Sequence, residues 1–166
     1  MAHIITLPKF KQQGSESYLL ARSTVETWLT EFEKVVKGSD FNKLTTLFVK
    51  DAWIRDLLAV SWDFRTIQGC DKLRHYFEGN LHAGGLSNIR ASERGAFKPC
   101  FKMPYPGLQW IESMFTFETR HGRGKGMLRL VMDPDDNDKW KCYLINFTLQ
   151  ELKGHGEKLG LNRPHG

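Results

Sequence analysis

The residues whose types and spacing could do chemistry concentrate between Trp53 and Gly69. Arg55 and Asp56 interrupt an apolar run, and Trp62-Asp63-Phe64-Arg65-Thr66 then alternates rings with opposite charges. On an extended strand Ile54, Asp56 and Leu58 point one way, and Trp53, Arg55 and Leu57 the other. A carboxylate at Asp56 facing an apolar cavity would hold its proton more tightly and could pass it to or from a carbon acid or hydroxyl. Facing solvent or an arginine, the same residue is structural. Asp63 and Arg65 share a face if their segment is extended; they either clamp a substrate oxygen through charge-assisted hydrogen bonds or pin the loop before Gly69. Trp53, Trp62 and Phe64 are the aromatic candidates for substrate binding beside them.

A second group lies in the last third. Trp110, Glu112, Met114, Thr116 and Glu118 alternate with Gln109, Ile111, Ser113, Phe115 and Phe117, so both faces carry bulky apolar groups. One face lines a cavity, with Trp110 and Met114 as substrate contacts, and the other meets a second subunit. If Leu144, Asn146 and Thr148 face inward, Asn146 could donate to a substrate carbonyl as its oxygen gains charge; otherwise it is a structural amide. Tyr76 turns inward from a helix and joins the substrate-binding candidates. His75, His121 and His155 are isolated, and no pair of histidines has metal spacing. There is no Gly-x-Ser-x-Gly elbow. No metal or cofactor is expected, which leaves acid-base chemistry by a carboxylate or shape-directed chemistry in an apolar cavity.

The elements that must position these groups follow from periodicity. A helix is expected from Thr24, with Val25, Trp28, Leu29, Phe32, Val35 and Val36 on one face, capped by Ser23 or Thr24 and closed by Gly38. Asp40 caps a short second helix through Phe41, Leu44, Leu47 and Phe48. A strand near Trp53–Leu58 precedes a third helix, about Asp71–Leu81, and Leu86–Glu93 is a weaker strand candidate. Three prolines between Gly95 and Gly107 predict an ordered loop. Strands are expected over residues 108–119, 125–132 and 139–152, with Gly122-Arg-Gly-Lys-Gly126 read as a hairpin turn. The plan is α+β: a curved antiparallel sheet with three helices packed on one face. Residues 1–23 form an arm, 24–152 the domain and 153–166 a tail.

Composition narrows the partners. The 166 residues, 40% hydrophobic and 26% charged, suit one globular domain with a core of its own. The net charge of +5 is scattered among 19 acidic residues, which argues against nucleic acid. Three widely spaced cysteines read as reduced thiols in a cytoplasmic protein. No stretch approaches the roughly 20 apolar residues of a membrane helix.

The order of elements resembles the nuclear transport factor 2-like (SnoaL-like) superfamily, which implies a cone-shaped, strongly bent antiparallel sheet closed by the three helices. More specifically, Trp28-Leu-Thr-Glu-Phe-Glu33, Asp51-Ala-Trp-Ile-Arg-Asp-Leu57, Ser61-Trp-Asp-Phe-Arg-Thr-Ile-Gln-Gly69, Phe115-Thr-Phe-Glu-Thr119 and Glu151-Leu-Lys-Gly-His-Gly-Glu157 resemble the amino-terminal domain of fungal flavin-dependent monooxygenase-like proteins. The sequence stops at Gly166, where those proteins enter a dinucleotide-binding domain, so flavin and nicotinamide binding do not carry over. The resemblance implies a pocket for a small hydrophobic metabolite, and the two apolar faces of the long strands predict a homodimer. The resemblance also implies a cofactor-independent cyclase or isomerase of fungal-type secondary metabolism, foremost a pericyclase performing a Diels–Alder-type cycloaddition on a terpenoid or polyketide intermediate. A non-catalytic binding or dimerisation domain of a flavoprotein is the alternative.

Overall fold

The computed structural model describes residues 18–155, apart from the side chains of residues 82–84. The expected arm before residue 18 and tail after residue 155 lie outside the described residues.

Helix α1 spans Tyr18–Gly38 and buries Ala21, Val25, Trp28, Leu29, Phe32, Val35 and Val36 along one stripe, as the three-to-four-residue spacing requires. It begins before the expected cap because the Ser23 and Thr24 hydroxyls turn back onto the Leu20 carbonyl and leave the helix unbroken. Helix α2, Phe41–Thr46, is capped by Asp40, whose side chain accepts from the Lys43 amide at 3.0 Å. It ends a turn earlier than its apolar spacing suggests, because Phe48 already belongs to strand β1, Phe48–Leu57. Strand β2, Phe64–Gln68, pairs back onto β1. Gly69, at a φ of 96° that favours glycine, turns the chain into helix α3, Cys70–Gly84.

Strands β3 (Ser87–Ala91), β4 (Cys100–Tyr105), β5 (Leu108–Glu118), β6 (Gly122–Asp133) and β7 (Lys139–Leu152) complete one curled sheet of order β2-β1-β7-β6-β5-β3, with β4 also paired to β5. The sheet is mixed: β1 runs parallel to β7, while the other pairings are antiparallel. The expected loop at 95–107 contains strand β4, which accommodates Pro104 because it pairs with β5 alone.

The glycine run 122–126 is not a turn. Gly122, Gly124 and Gly126 occupy the inward positions of β6, where a Cβ on Gly124 or Gly126 would overlap the Phe117 or Phe115 ring. These rings reach over a stripe of bare backbone. They join Phe32 of α1, Phe77 of α3 and Phe147 of β7, whose ring centroids stand 5.5–6.3 Å from its aromatic neighbours. Phe32, Phe48, Phe77, Phe115, Phe117 and Phe147 are all buried, so aromatic side chains fill the cone's interior. Burying each contributes about 1.5–3 kcal/mol.

Strand polarity determines where loops meet. The ends of β1, β5 and β7 and the start of β6 reach the same edge of the sheet. The loop after β1, the β5–β6 turn and the end of α3 surround the mouth there.

Candidate functional site

Asp56 ends the inward row of β1 and is fully buried. Its carboxylate is enclosed by donors from the following loop. Oδ1 accepts from the Ala59 and Val60 amides, each at 3.0 Å, and Oδ2 accepts from the Ser61 amide at 2.8 Å and the Ser61 hydroxyl at 3.0 Å. The Tyr76 hydroxyl of α3 donates to Oδ2 at 2.6 Å and stands 3.1 Å from Ser61 Oγ. Burial and then the Asp56 hydrogen bond push the Tyr76 phenol far above its ordinary value, so it remains a proton donor near neutral pH. This clamp holds a loop in which Leu58 adopts a φ of 64°, a left-handed conformation that costs energy in a residue with a Cβ.

Above the clamp is a pocket of about 150 Å³. Leu58, Ala59, Val60 and Leu149 form its apolar wall, and Trp62 stands on its rim at 64% exposure. Four polar side chains converge on it: Ser61, Asn80, Thr119 and His121. Each is held from outside the pocket. Asn80 Nδ2 donates to the Tyr76 carbonyl at 2.8 Å. Thr119 Oγ1 accepts from the amides of His121 at 3.2 Å and Gly122 at 2.9 Å, which fixes the turn carrying the imidazole. The His121 carbonyl accepts from the Lys153 amide at 2.8 Å, and its ring lies 5.8 Å from the Trp62 ring. Such an arrangement can bind an uncharged group, hydrogen-bond to its oxygens and exchange a proton through an exposed imidazole.

The candidates read from the sequence fall into three places. Asp56, Tyr76 and Trp62 belong to the mouth, as clamp and rim. Asp63 and Arg65 form an exposed ion pair at 2.7 Å beside Phe64, itself 67% exposed, and so act on the loop surface. Trp53, Trp110, Met114 and Asn146 sit on the outer face of the sheet, because the inward rows are Ile54–Asp56, Ile111–Ser113–Phe115–Phe117 and Ile145–Phe147. Asn146 Oδ1 accepts from the Met127 amide at 2.6 Å. Trp110 carries the Arg129 guanidinium 4.7 Å from its ring centroid, and Arg129 pairs with Glu112 at 2.8 Å.

Sequence reasoning passed over Ser61, Asn80, Thr119 and His121 as site residues. They converge only through the strand order, and their one sequence signal is position at element ends. A larger depression of about 450 Å³ lies on the outer face, where Arg123 pairs with Glu151 at 3.2 Å and Glu118 with Lys153 at 3.0 Å. Among the described residues no cluster of histidine, cysteine or carboxylate side chains could hold a metal, and no helix is long and apolar enough to cross a membrane.

No family model matches the sequence, and no curated protein matches it. Solved structures do match the fold. A cystatin-like-fold protein of unknown function from Nostoc punctiforme is 17% identical over 79% of this chain and 92% of its own, with a TM-score of 0.56. A nuclear transport factor 2-like protein from Novosphingobium aromaticivorans is 14% identical over 80% and 84%, with a TM-score of 0.51. A provisionally named scytalone dehydratase from the same organism is 14% identical over 89% and 97%, with a TM-score of 0.52. At these identities the likeness concerns architecture, and the chain has the nuclear transport factor 2-like, cystatin-like fold.

Proposed function

We propose that this chain is a cofactor-independent isomerase acting on a small, uncharged molecule at the mouth of the cone. The observation that carries this reading is the convergence of Ser61, Asn80, Thr119 and His121 on one apolar-walled pocket, above a buried carboxylate that fixes their loop. His121 is the proton-transfer group, Ser61 and Asn80 hydrogen-bond the substrate, and Asp56 and Tyr76 are positioning residues. Asp56 does not serve as the base here, because both of its oxygens already accept from backbone and hydroxyl donors. A dehydratase name on a neighbour of the same fold supports an enzyme of this general kind.

The resemblance to fungal proteins favours a cyclase working on a terpenoid or polyketide intermediate. A pocket of about 150 Å³ is small for that task, since sites for drug-sized ligands span roughly 300–1,000 Å³. Isomerisation of a compact substrate therefore fits the mouth better than cycloaddition of a large one. For the partner, the proposal is a second copy of the chain on the outer sheet face, where Trp53 pairs with Leu144 and Met127 with Met114 on neighbouring rows.

The test is incubation of the purified chain with a metabolite extract, without flavin, nicotinamide or metal, followed by mass spectrometry. A new compound of unchanged mass is expected. Retention of a compound without conversion would replace the enzyme with a binding module.

A further inference from the structure

Resting on the mouth as the ligand site, we infer that its ligand is a monocyclic, uncharged molecule that presents a hydroxyl donor to Ser61 Oγ. Three observations carry this. The first is size: an engineered cavity of about 150 Å³ in another protein accepts benzene, and this mouth has about the same volume. One six-membered ring matches that volume.

The second is charge. Among the residues lining the mouth none carries an ionised Asp, Glu, Lys or Arg side chain. The carboxylate beneath it, Asp56, is buried and saturated by its own loop. An anion would stand near that buried negative charge, and the neighbouring Lys153 ammonium is already taken by the Thr119 carbonyl at 2.8 Å and Glu118 at 3.0 Å. A cation would find no free carboxylate.

The third is the direction of the Ser61 proton. The hydroxyl donates to Asp56 Oδ2 at 3.0 Å, so its hydrogen points into the protein; the Tyr76 hydroxyl stands 3.1 Å from its oxygen, which leaves one lone pair as an acceptor for the pocket. Tyr76 reinforces this polarity by donating to the same carboxylate oxygen. A ligand hydroxyl satisfies Ser61 Oγ, whereas a ketone of equal size brings one acceptor against another. Ser61 therefore determines specificity through a proton it cannot release.

The experiment is an NMR titration of the ¹⁵N-labelled chain with phenol, toluene, cyclohexanone and benzoate, following the Ser61 and His121 amides and the Trp62 indole. Phenol is expected to bind about fivefold more tightly than toluene or cyclohexanone, the effect of one net hydrogen bond, with benzoate weakest. Ser61→Ala should erase the preference for phenol over toluene while leaving toluene binding in place. Equal binding of phenol and toluene by the wild-type chain, or preference for benzoate, would overturn the inference and leave the mouth as a ligand site. Failure of all four probes to shift the mouth resonances would overturn the site itself.

Discussion

The Tyr76 hydroxyl and the Asp56 carboxylate meet at 2.6 Å, a short contact joining helix α3 to the end of β1 beneath the mouth. It places a buried negative charge where every neighbouring group is a donor, so the pair holds the loop 58–61 and not a substrate. Removing either partner should therefore cost different amounts. Asp56→Asn places an amide nitrogen against one set of these donors and should destabilise the chain by about 3–5 kcal/mol, as broken buried charge networks do. Tyr76→Phe removes one charge-assisted bond and should cost about 1.5–3 kcal/mol. Urea unfolding checks both, and equal losses would contradict a carboxylate held mainly by its own loop.

The raised Tyr76 phenol makes stability depend on alkaline pH. A tyrosine in the unfolded chain titrates near 10, roughly. Because the folded value lies above the unfolded one, the stabilisation is fully present below about pH 10 and is lost as pH rises through the folded value. Wild type should lose stability above about pH 10 more steeply than Tyr76→Phe. Parallel curves from pH-dependent denaturation would refute the linkage.

Glu33 works in the opposite direction. Burial on α1 would raise its pKa, but the Lys37 ammonium, the Asn88 amide and the Arg90 guanidinium together hold it below the ordinary carboxylate value. Its stabilisation is present above the unfolded glutamate value and disappears as pH falls through the folded one. Glu33→Gln should flatten the acid side of the stability profile, and an unchanged acid limb would contradict this assignment.

The glycine stripe in β6 gives a packing test. Gly124→Ala puts a methyl group into the Phe117 ring and the backbone at Thr148, and should cost about 2–3 kcal/mol. Phe117→Leu in the same chain should recover part of that loss. No measurable destabilisation by thermal unfolding would mean that the rings do not lie on the stripe.

The outer face gives an assembly test. Arg55, Asn146, Met127 and Met114 occupy one row across β1, β7, β6 and β5, beside the row Trp53, Leu144, Arg129 and Glu112. Sedimentation at micromolar concentration should show a dimer, and Met127→Glu should give a folded monomer. A wild-type monomer would remove the second copy from the proposal.

Much of this architecture was legible in the sequence. Asp40 as a cap, the helical stripes of α1 and α3 and the lengths of β5 and β7 follow from local periodicity, whereas alternation grouped Asp56 with Ile54 without deciding which way that row faces. The faces of β5 and β7 were not legible, because both carry large apolar residues and only the Phe cluster on Gly124 and Gly126 decides which one turns inward. Those glycines looked like a turn because a bare strand position and a bend use the same residue. The mouth was hidden for a different reason. Ser61, Asn80, the Thr119–His121 turn and Leu149 are separated by long stretches of chain, and the parallel β1–β7 pairing together with the β5–β6–β7 ladder brings their element ends together.

The most direct test of a proton-transferring mouth is the cofactor-free incubation repeated in deuterium oxide, with wild type and His121→Ala compared by mass spectrometry. Because His121 is exposed, its ring proton exchanges with solvent, and a product formed through it should carry deuterium on carbon. The expected result is a product of unchanged mass in water, heavier by one deuterium in heavy water, and lost in His121→Ala. A product that carries no deuterium, or that His121→Ala makes at the wild-type rate, would contradict proton transfer at this mouth.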